Sequence, residues 1–165
     1  MEKNKINLLI VDDEAQFLHS IGRSLEMRDF KVLTAARGDE ALELARIEEV
    51  DIALVDLKMP GMDGQQTLEA LKKEHPWMEI VILTGHGTID SAAACTRSGA
   101  YAYLQKPCEF DQLLQVLADA YKRKVMNKEE IDEQRMNELL EISLSPSPRE
   151  ILARLREMDK QAEKV

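Results

Sequence analysis

The chain has 165 residues, room for one ordinary domain with a remainder but crowded for two. With 44% hydrophobic and 32% charged residues, apolar runs as short as Leu8–Val11 and no cationic–apolar leader, it reads as neither disordered, bilayer-spanning nor secreted. Residues 1–121 hold 12 Lys and Arg against 21 Asp and Glu, the whole net charge of −9, while 122–165 hold ten of each, so neither part offers the basic field that binds nucleic-acid phosphates.

Ile6–Val11 is an apolar run short enough for a strand, and a helix follows near 15–28 with Phe17, Leu18, Ile21 and Leu25 on one stripe. A second strand is predicted at Lys31–Ala35. Gly38-Asp39-Glu40 then places acidic residues at the start of a helix over 38–48. Ile52–Val55 is the third strand, and Asp63-Gly64 punctuates the approach to a helix over 64–74. Glu79–Leu83, a helix over 88–97 and Tyr101–Leu104 complete the pattern. Three of the five runs are continuous blocks of Ile, Leu and Val, as expected of strands covered on both faces. Five strand–helix units in this order predict an α/β fold: a doubly wound (βα)5 parallel sheet with right-handed crossovers, in the flavodoxin-like order 2-1-3-4-5.

A fifth helix is predicted from Phe110, with Leu113, Leu114 and Leu117 facing the sheet. It meets no Pro or Gly before Pro146 and is free to run to Ile142, although Val125, Ile131, Met136, Leu139 and Ile142 make no steady heptad. Ser145-Pro146-Ser147-Pro148 is a break. Ser147 as N-cap, Pro148 at the first helical position and Glu150 three after the cap open a last helix. Its Ile151, Leu152, Leu155 and Met158 form an apolar face that the preceding helix, the domain or a partner must cover. The expected organisation is a domain over 1–122 and a helical tail over 123–165, broken at 144–147.

Polar residues interrupt the apolar runs at one end of the predicted sheet. Asp12 and Asp13 end the first strand, Asp56 the third and Thr84 the fourth, and Lys106 follows the fifth. In open parallel sheets, sites form outside the carboxyl ends of strands where the order reverses, which here lies between strands one and three. Two like charges ~4 Å apart repel by about 4 kcal/mol at an effective dielectric near 20, so three converging carboxylates call for a cation or a proton. Hard oxygen ligands suit Mg²⁺. With an ammonium from Lys106 and a hydroxyl from Thr84, the set suits phosphoryl transfer, where positioning and charge neutralisation do most of the catalysis.

Four segments, Leu8-Leu9-Ile10-Val11-Asp12-Asp13-Glu14, Asp56-Leu57-Lys58-Met59-Pro60-Gly61-Met62-Asp63-Gly64, Leu83-Thr84-Gly85-His86-Gly87 and Tyr101-Ala102-Tyr103-Leu104-Gln105-Lys106-Pro107, occur in order. Together they make residues 5–121 resemble the receiver domain of bacterial two-component response regulators, closest in wording to the nitrogen-regulatory subgroup. The resemblance implies that Asp56 accepts a phosphoryl group from the phosphohistidine of a sensor kinase or phosphotransfer protein. It implies that Asp12, Asp13, Asp56 and the backbone carbonyl of Lys58 hold Mg²⁺, that Lys106 pairs with the phosphoryl group, and that Thr84 moves to hydrogen-bond it. Tyr103 occupies the place of the family's switch aromatic, and the Lys106–Pro107 peptide is expected to be cis. Lys58 and His86 stand at positions that the family links to phosphoryl lifetime. The surface of the fourth helix, fifth strand and fifth helix would read out the state, and this face or the tail offers a homodimer contact.

Each residue alone has a plainer reading: Asp12-Asp13 as a helix start, Asp56 as a turn-former, Thr84 as a cap, Lys106 as a solvated loop residue. Lys122-Arg123-Lys124 reads as a solvated helix face, and Cys95 and Cys108 as unreactive thiols suited to a reducing cytoplasm. No recognition helix fits after Leu144–Leu152, so the expected output is protein contact without nucleic acid or membrane. The competing readings are a passive phosphate shuttle without output and an Asp-nucleophile phosphatase. The phosphatase is disfavoured because Lys58 stands where such enzymes carry a second Asp. Beyond its own phosphorylation and dephosphorylation, no enzymatic turnover is expected.

Overall fold

The structure, a computed structural model, describes residues 5–144 and 147–162. Strands β1 (Ile6–Val11), β2 (Phe30–Ala35), β3 (Ile52–Val55), β4 (Glu79–Thr84) and β5 (Ala102–Gln105) alternate with helices α1 (Ala15–Glu26), α2 (Gly38–Ile47), α3 (Gly64–Glu74) and α4 (Ile89–Arg97). Helix α5 (Phe110–Ser143) and helix α6 (Pro148–Ala162) follow. All strand pairs are parallel and the order is β2-β1-β3-β4-β5. Fold class and strand order are therefore those expected from the sequence.

The two-residue side-chain period of each strand divides the core. Leu9, Val11, Ala53, Val55, Ile80 and Ile82 face the layer built by α2, α3 and α4, with Leu42, Leu68, Leu71 and Cys95 buried there. Leu8, Ile10, Ile52, Leu54, Val81 and Leu83 face α1 and α5, where Leu25, Leu113 and Leu117 are buried. Phe17, Leu18 and Ile21, the remainder of the expected α1 stripe, are only partly buried. The central strands β3 and β4 are buried along their whole length, and edge strand β5 is not. Strand limits differ from the apolar runs by single residues. Thr84 continues β4 because its register partner Gln105 extends the ladder, while Tyr101 precedes β5 and its N–H donates to Ile80 O at 2.7 Å.

The chain forms two compact units, 1–124 and 125–165, and α5 contributes to both. In the second unit, Ile142 is buried and lines a groove of about 310 Å³ with Met158 and Arg154, so α6 turns part of its apolar face toward the end of α5. Leu152 stays exposed. Of the expected break, Ser145 and Pro146 lie outside the described residues; Leu144 is in a turn, and α6 begins at Pro148.

One expectation is corrected. Lys122-Arg123-Lys124 is not a uniformly solvated face. Lys122 is exposed, but Lys124 Nζ is bonded to Asp51 Oδ1, and Asp51 Oδ2 accepts the N–H of Asn7 at 2.8 Å. Arg123 Nε lies 3.4 Å from the buried Glu79 and its guanidinium sits over the Tyr101 ring at 5.2 Å. These contacts fasten α5 to the N-terminal ends of β3 and β4. Their partners are 22 to 73 residues away in sequence, which is why helical periodicity does not reveal them. Removing one member of a nearly buried ion pair strands the other. Lys124→Met should therefore lower the unfolding free energy by about 2–4 kcal/mol in urea melts, and Lys122→Met by less than about 0.5 kcal/mol. Equal effects would contradict this assignment.

Candidate functional site

The site lies at the C-terminal ends of β1, β3, β4 and β5. Backbone bonds across neighbouring strands set its spacing. The Asp12 N–H donates to Ala35 O and the Asp56 N–H to Val11 O, both at 3.0 Å, so the two carboxylates leave adjacent strands at one level. Asp12 and Asp56 are buried and Asp13 is exposed, yet one oxygen from each lies within 4.8 Å of the others. At that separation each like pair repels by about 3–4 kcal/mol at an effective dielectric near 20.

Among the described residues, a single cation answers them. Lys106 Nζ is 2.6 Å from Asp12 Oδ2 and 4.0 Å from Asp56 Oδ2, and Glu14 N–H donates to Asp12 Oδ1 at 2.9 Å. Asp56 Oδ1 is buried with no hydrogen-bond partner. An ionised oxygen held out of water without a donor carries the full desolvation penalty, and a cation or an incoming electrophile relieves it.

Thr84 is buried at the end of β4. Its Oγ1 accepts the His86 N–H at 3.2 Å, and its carbonyl accepts the Lys106 N–H at 2.9 Å, tying the two loops together. The Lys106–Pro107 peptide is cis. The Lys58 side chain is exposed and, with His86, Asp63 and Ser91, lines a groove of about 360 Å³ beside the acidic cluster. Asp12, Asp13, Asp56 and Lys106 thus meet directly, while Lys58 and His86 stand at the rim.

Tyr103 is half-buried, and its hydroxyl lies 3.0 Å from Ser91 Oγ in the first turn of α4. Ser91 forms the α4 capping box with Thr88, so the tyrosine is joined to the start of that helix. Two glycines make room for these arrangements. A Cβ on Gly64 would fall 2.1 Å from Asp56 O, and one on Gly87 would fall 1.8 Å from the Tyr103 hydroxyl. The sequence does not single out Ser91, and it marks Gly64 only as punctuation before a helix and Gly87 only as part of a motif. The one usable signal was Thr88-Ile89-Asp90-Ser91, whose Thr and Ser three residues apart suit reciprocal capping. Burial pushes both thiols above their ordinary range, aided at Cys95 by Asp63 and Glu69 and at Cys108 by Glu109.

The parallel sheet with an acidic cluster at its topological switch point places the chain among doubly wound α/β proteins with a site at the carboxyl edge of the sheet. Residues 8–118 match the model of the response regulator receiver domain, and the chain belongs to that family. It is 38% identical over 120 residues to the transcriptional regulatory protein GlrR of Escherichia coli, covering 73% of this chain and 27% of that protein. It is 36% identical over 129 residues to a protein of Rickettsia bellii described as a response regulator NtrX-like, covering 77% of this chain and 27% of that one. The chain therefore spans about a quarter of the length of these curated relatives. A CheY-like receiver domain protein from Methanospirillum hungatei superposes with a TM-score of 0.72 at 30% identity, covering 74% of this chain and 98% of that one.

Gly87→Ala should drive Tyr103 away from Ser91 at little cost in stability, because the obstructing atom is the end of a side chain that can rotate. In ¹³C-tyrosine spectra the Tyr103 ring signal should move toward the solvent-exposed position, and Ser91→Ala should move it less. An unchanged ring signal in Gly87→Ala would contradict the inward placement. With a thiol reagent, Cys95 should react only on unfolding.

Proposed function

We propose that this chain is a phosphorylation-switched receiver that accepts a phosphoryl group on Asp56 from a histidine kinase or phosphotransfer protein. The observation that carries this reading is the buried, unpartnered Asp56 Oδ1 beside two further carboxylates and one lysine. That oxygen attacks phosphorus, the bond from phosphorus to the donor nitrogen breaks, and the departing imidazole takes a proton. Asp12, Asp13, Asp56 and the carbonyl of Lys58 would hold Mg²⁺, which when bound supplies charge neutralisation for the carboxylates and the phosphoryl oxygens. Three carboxylates answered by one ammonium fit a dication.

Lys106 then balances the phosphoryl charge, and the Thr84 hydroxyl, now accepting from His86, turns to donate to it. The room vacated by Thr84 favours the inward Tyr103, so the population of inward and outward tyrosine changes with phosphorylation. Through Ser91 this alters the start of α4, and the α4–β5–α5 face carries the signal. The exposed Ile89 on that face, and Met136, Leu139 and Leu152 in the tail, support protein contacts, including pairing of two chains. The balanced charge of 122–165 supports no nucleic-acid contact through these residues. No helix among the described residues is long and apolar enough to cross a membrane, and we place the chain's work in the cytoplasm.

With a small-molecule phosphodonor and Mg²⁺, intact-mass measurement should show one acid-labile phosphoryl group per chain, absent in Asp56→Asn. Unchanged labelling of Asp56→Asn would overturn the assignment. Sustained turnover of a phosphate ester would favour the phosphatase reading instead.

A further inference from the structure

We propose that Phe17 is a positioning residue for phosphoryl binding, acting through Lys106 by a cation–π contact. The inference rests on the reading of the site given above and concerns what steers its lysine. Lys106 Nζ lies 3.9 Å from the centroid of the Phe17 ring, well inside the range of cation–π attraction. The ammonium has three neighbours among the described residues: Asp12 at 2.6 Å, Asp56 at 4.0 Å and this ring.

The three neighbours differ in what they ask of the lysine. Its shortest bond is to Asp12, a carboxylate that the proposed site assigns to the metal. A phosphoryl group, by contrast, would project from Asp56. Lys106 must therefore loosen one anionic partner before it can engage another. During that exchange, its long side chain is free to swing outward through the groove of about 500 Å³ that Phe17, Ile21, Pro107, Cys108 and Leu113 line beside it, with the exposed carboxylate of Glu14 at the same groove. Phe17 blocks that departure in a way no aliphatic side chain can. An aliphatic group would desolvate the ammonium and offer it nothing, and another carboxylate would add to the crowding. An aromatic face is apolar, carries no net charge and still attracts a cation. It holds Lys106 whichever anion is bound, leaving less side-chain freedom to be lost when the phosphoryl group arrives.

The position of Phe17 supports this role. It is only partly buried, whereas Leu25 on the same α1 stripe is fully buried in the core, so the ring is not consumed by packing against the sheet. It lies in the first turn of α1, the helix that begins two residues after Asp13.

The test replaces Phe17 in the full chain with mono-, di- and trifluorinated phenylalanines, which drain the ring face of negative charge while nearly keeping its shape, and with Leu and Tyr. Two readouts are used: the ring-current shift of the Lys106 ε-methylene protons without metal, and the affinity for beryllofluoride in Mg²⁺. The expected result is an upfield ε-methylene signal that Phe17→Leu abolishes. Affinity should weaken stepwise along the fluorine series and by about three- to thirtyfold in Phe17→Leu, with Phe17→Tyr within about twofold of the parent. A flat fluorine series, or an ε-methylene signal at its random-coil position in the parent protein, overturns the role of Phe17. A parent chain that shows the ring-current shift yet binds no beryllofluoride with Mg²⁺ overturns the phosphoryl-acceptor reading itself, and the role of Phe17 with it.

Discussion

The organisation of this molecule turns on like-charge crowding between Asp12, Asp13 and Asp56. Neighbouring strands bring the first and third together through ordinary ladder bonds, and nothing in the sheet compensates for the charge this concentrates. Among the described residues, one lysine answers three carboxylates. Stability for the arrangement comes from elsewhere, from the Ile, Leu and Val side chains buried on both faces of the sheet. The fold supplies rigidity and the site uses it to hold charges where they are unfavourable without a further cation.

The two poles of the sheet treat the same residue types differently. At the N-terminal ends of β3 and β4, Asp51 and Glu79 are as buried as Asp12 and Asp56, but Lys124 and Arg123 stand opposite them. Lys72 joins this pole through the carbonyls of Pro76 and Met78, and burial lowers its pKa while Glu79 partly restores it. Here charge is consumed in fastening α5 to the sheet. At the opposite pole charge is left over: Asp56 Oδ1 and Glu79 Oε2 both lack a hydrogen-bond partner, but Glu79 has Arg123 against its other oxygen, whereas Asp56 stands among two further carboxylates.

Much of this was legible in the sequence because short apolar blocks alternating with helix-period segments fit strands covered on both faces, and the polar residues that end them then share an edge. Asp12, Asp56, Thr84 and Lys106 are visible for that reason. The basic triplet was not, since its meaning depends on Asp51 and Glu79, which neither helical periodicity nor local composition connects to it. Phe17 was read as one member of an apolar stripe, which it is; its second contact, with Lys106, arises from chain segments almost ninety residues apart. Gly64 and Gly87 look like turn residues, and their actual requirement is space for Asp56 and Tyr103.

The crowding of the acidic cluster is tested most directly by thermal and urea unfolding of the parent chain and Asp13→Asn, each with and without Mg²⁺. Mg²⁺ at about ten times its dissociation constant should stabilise the parent by about 1–2 kcal/mol. Asp13→Asn, with one like charge removed and the Lys106–Asp12 pair intact, should be the more stable chain without metal and respond little to Mg²⁺. A parent chain indifferent to Mg²⁺, or an Asp13→Asn chain less stable than the parent without metal, would contradict the account.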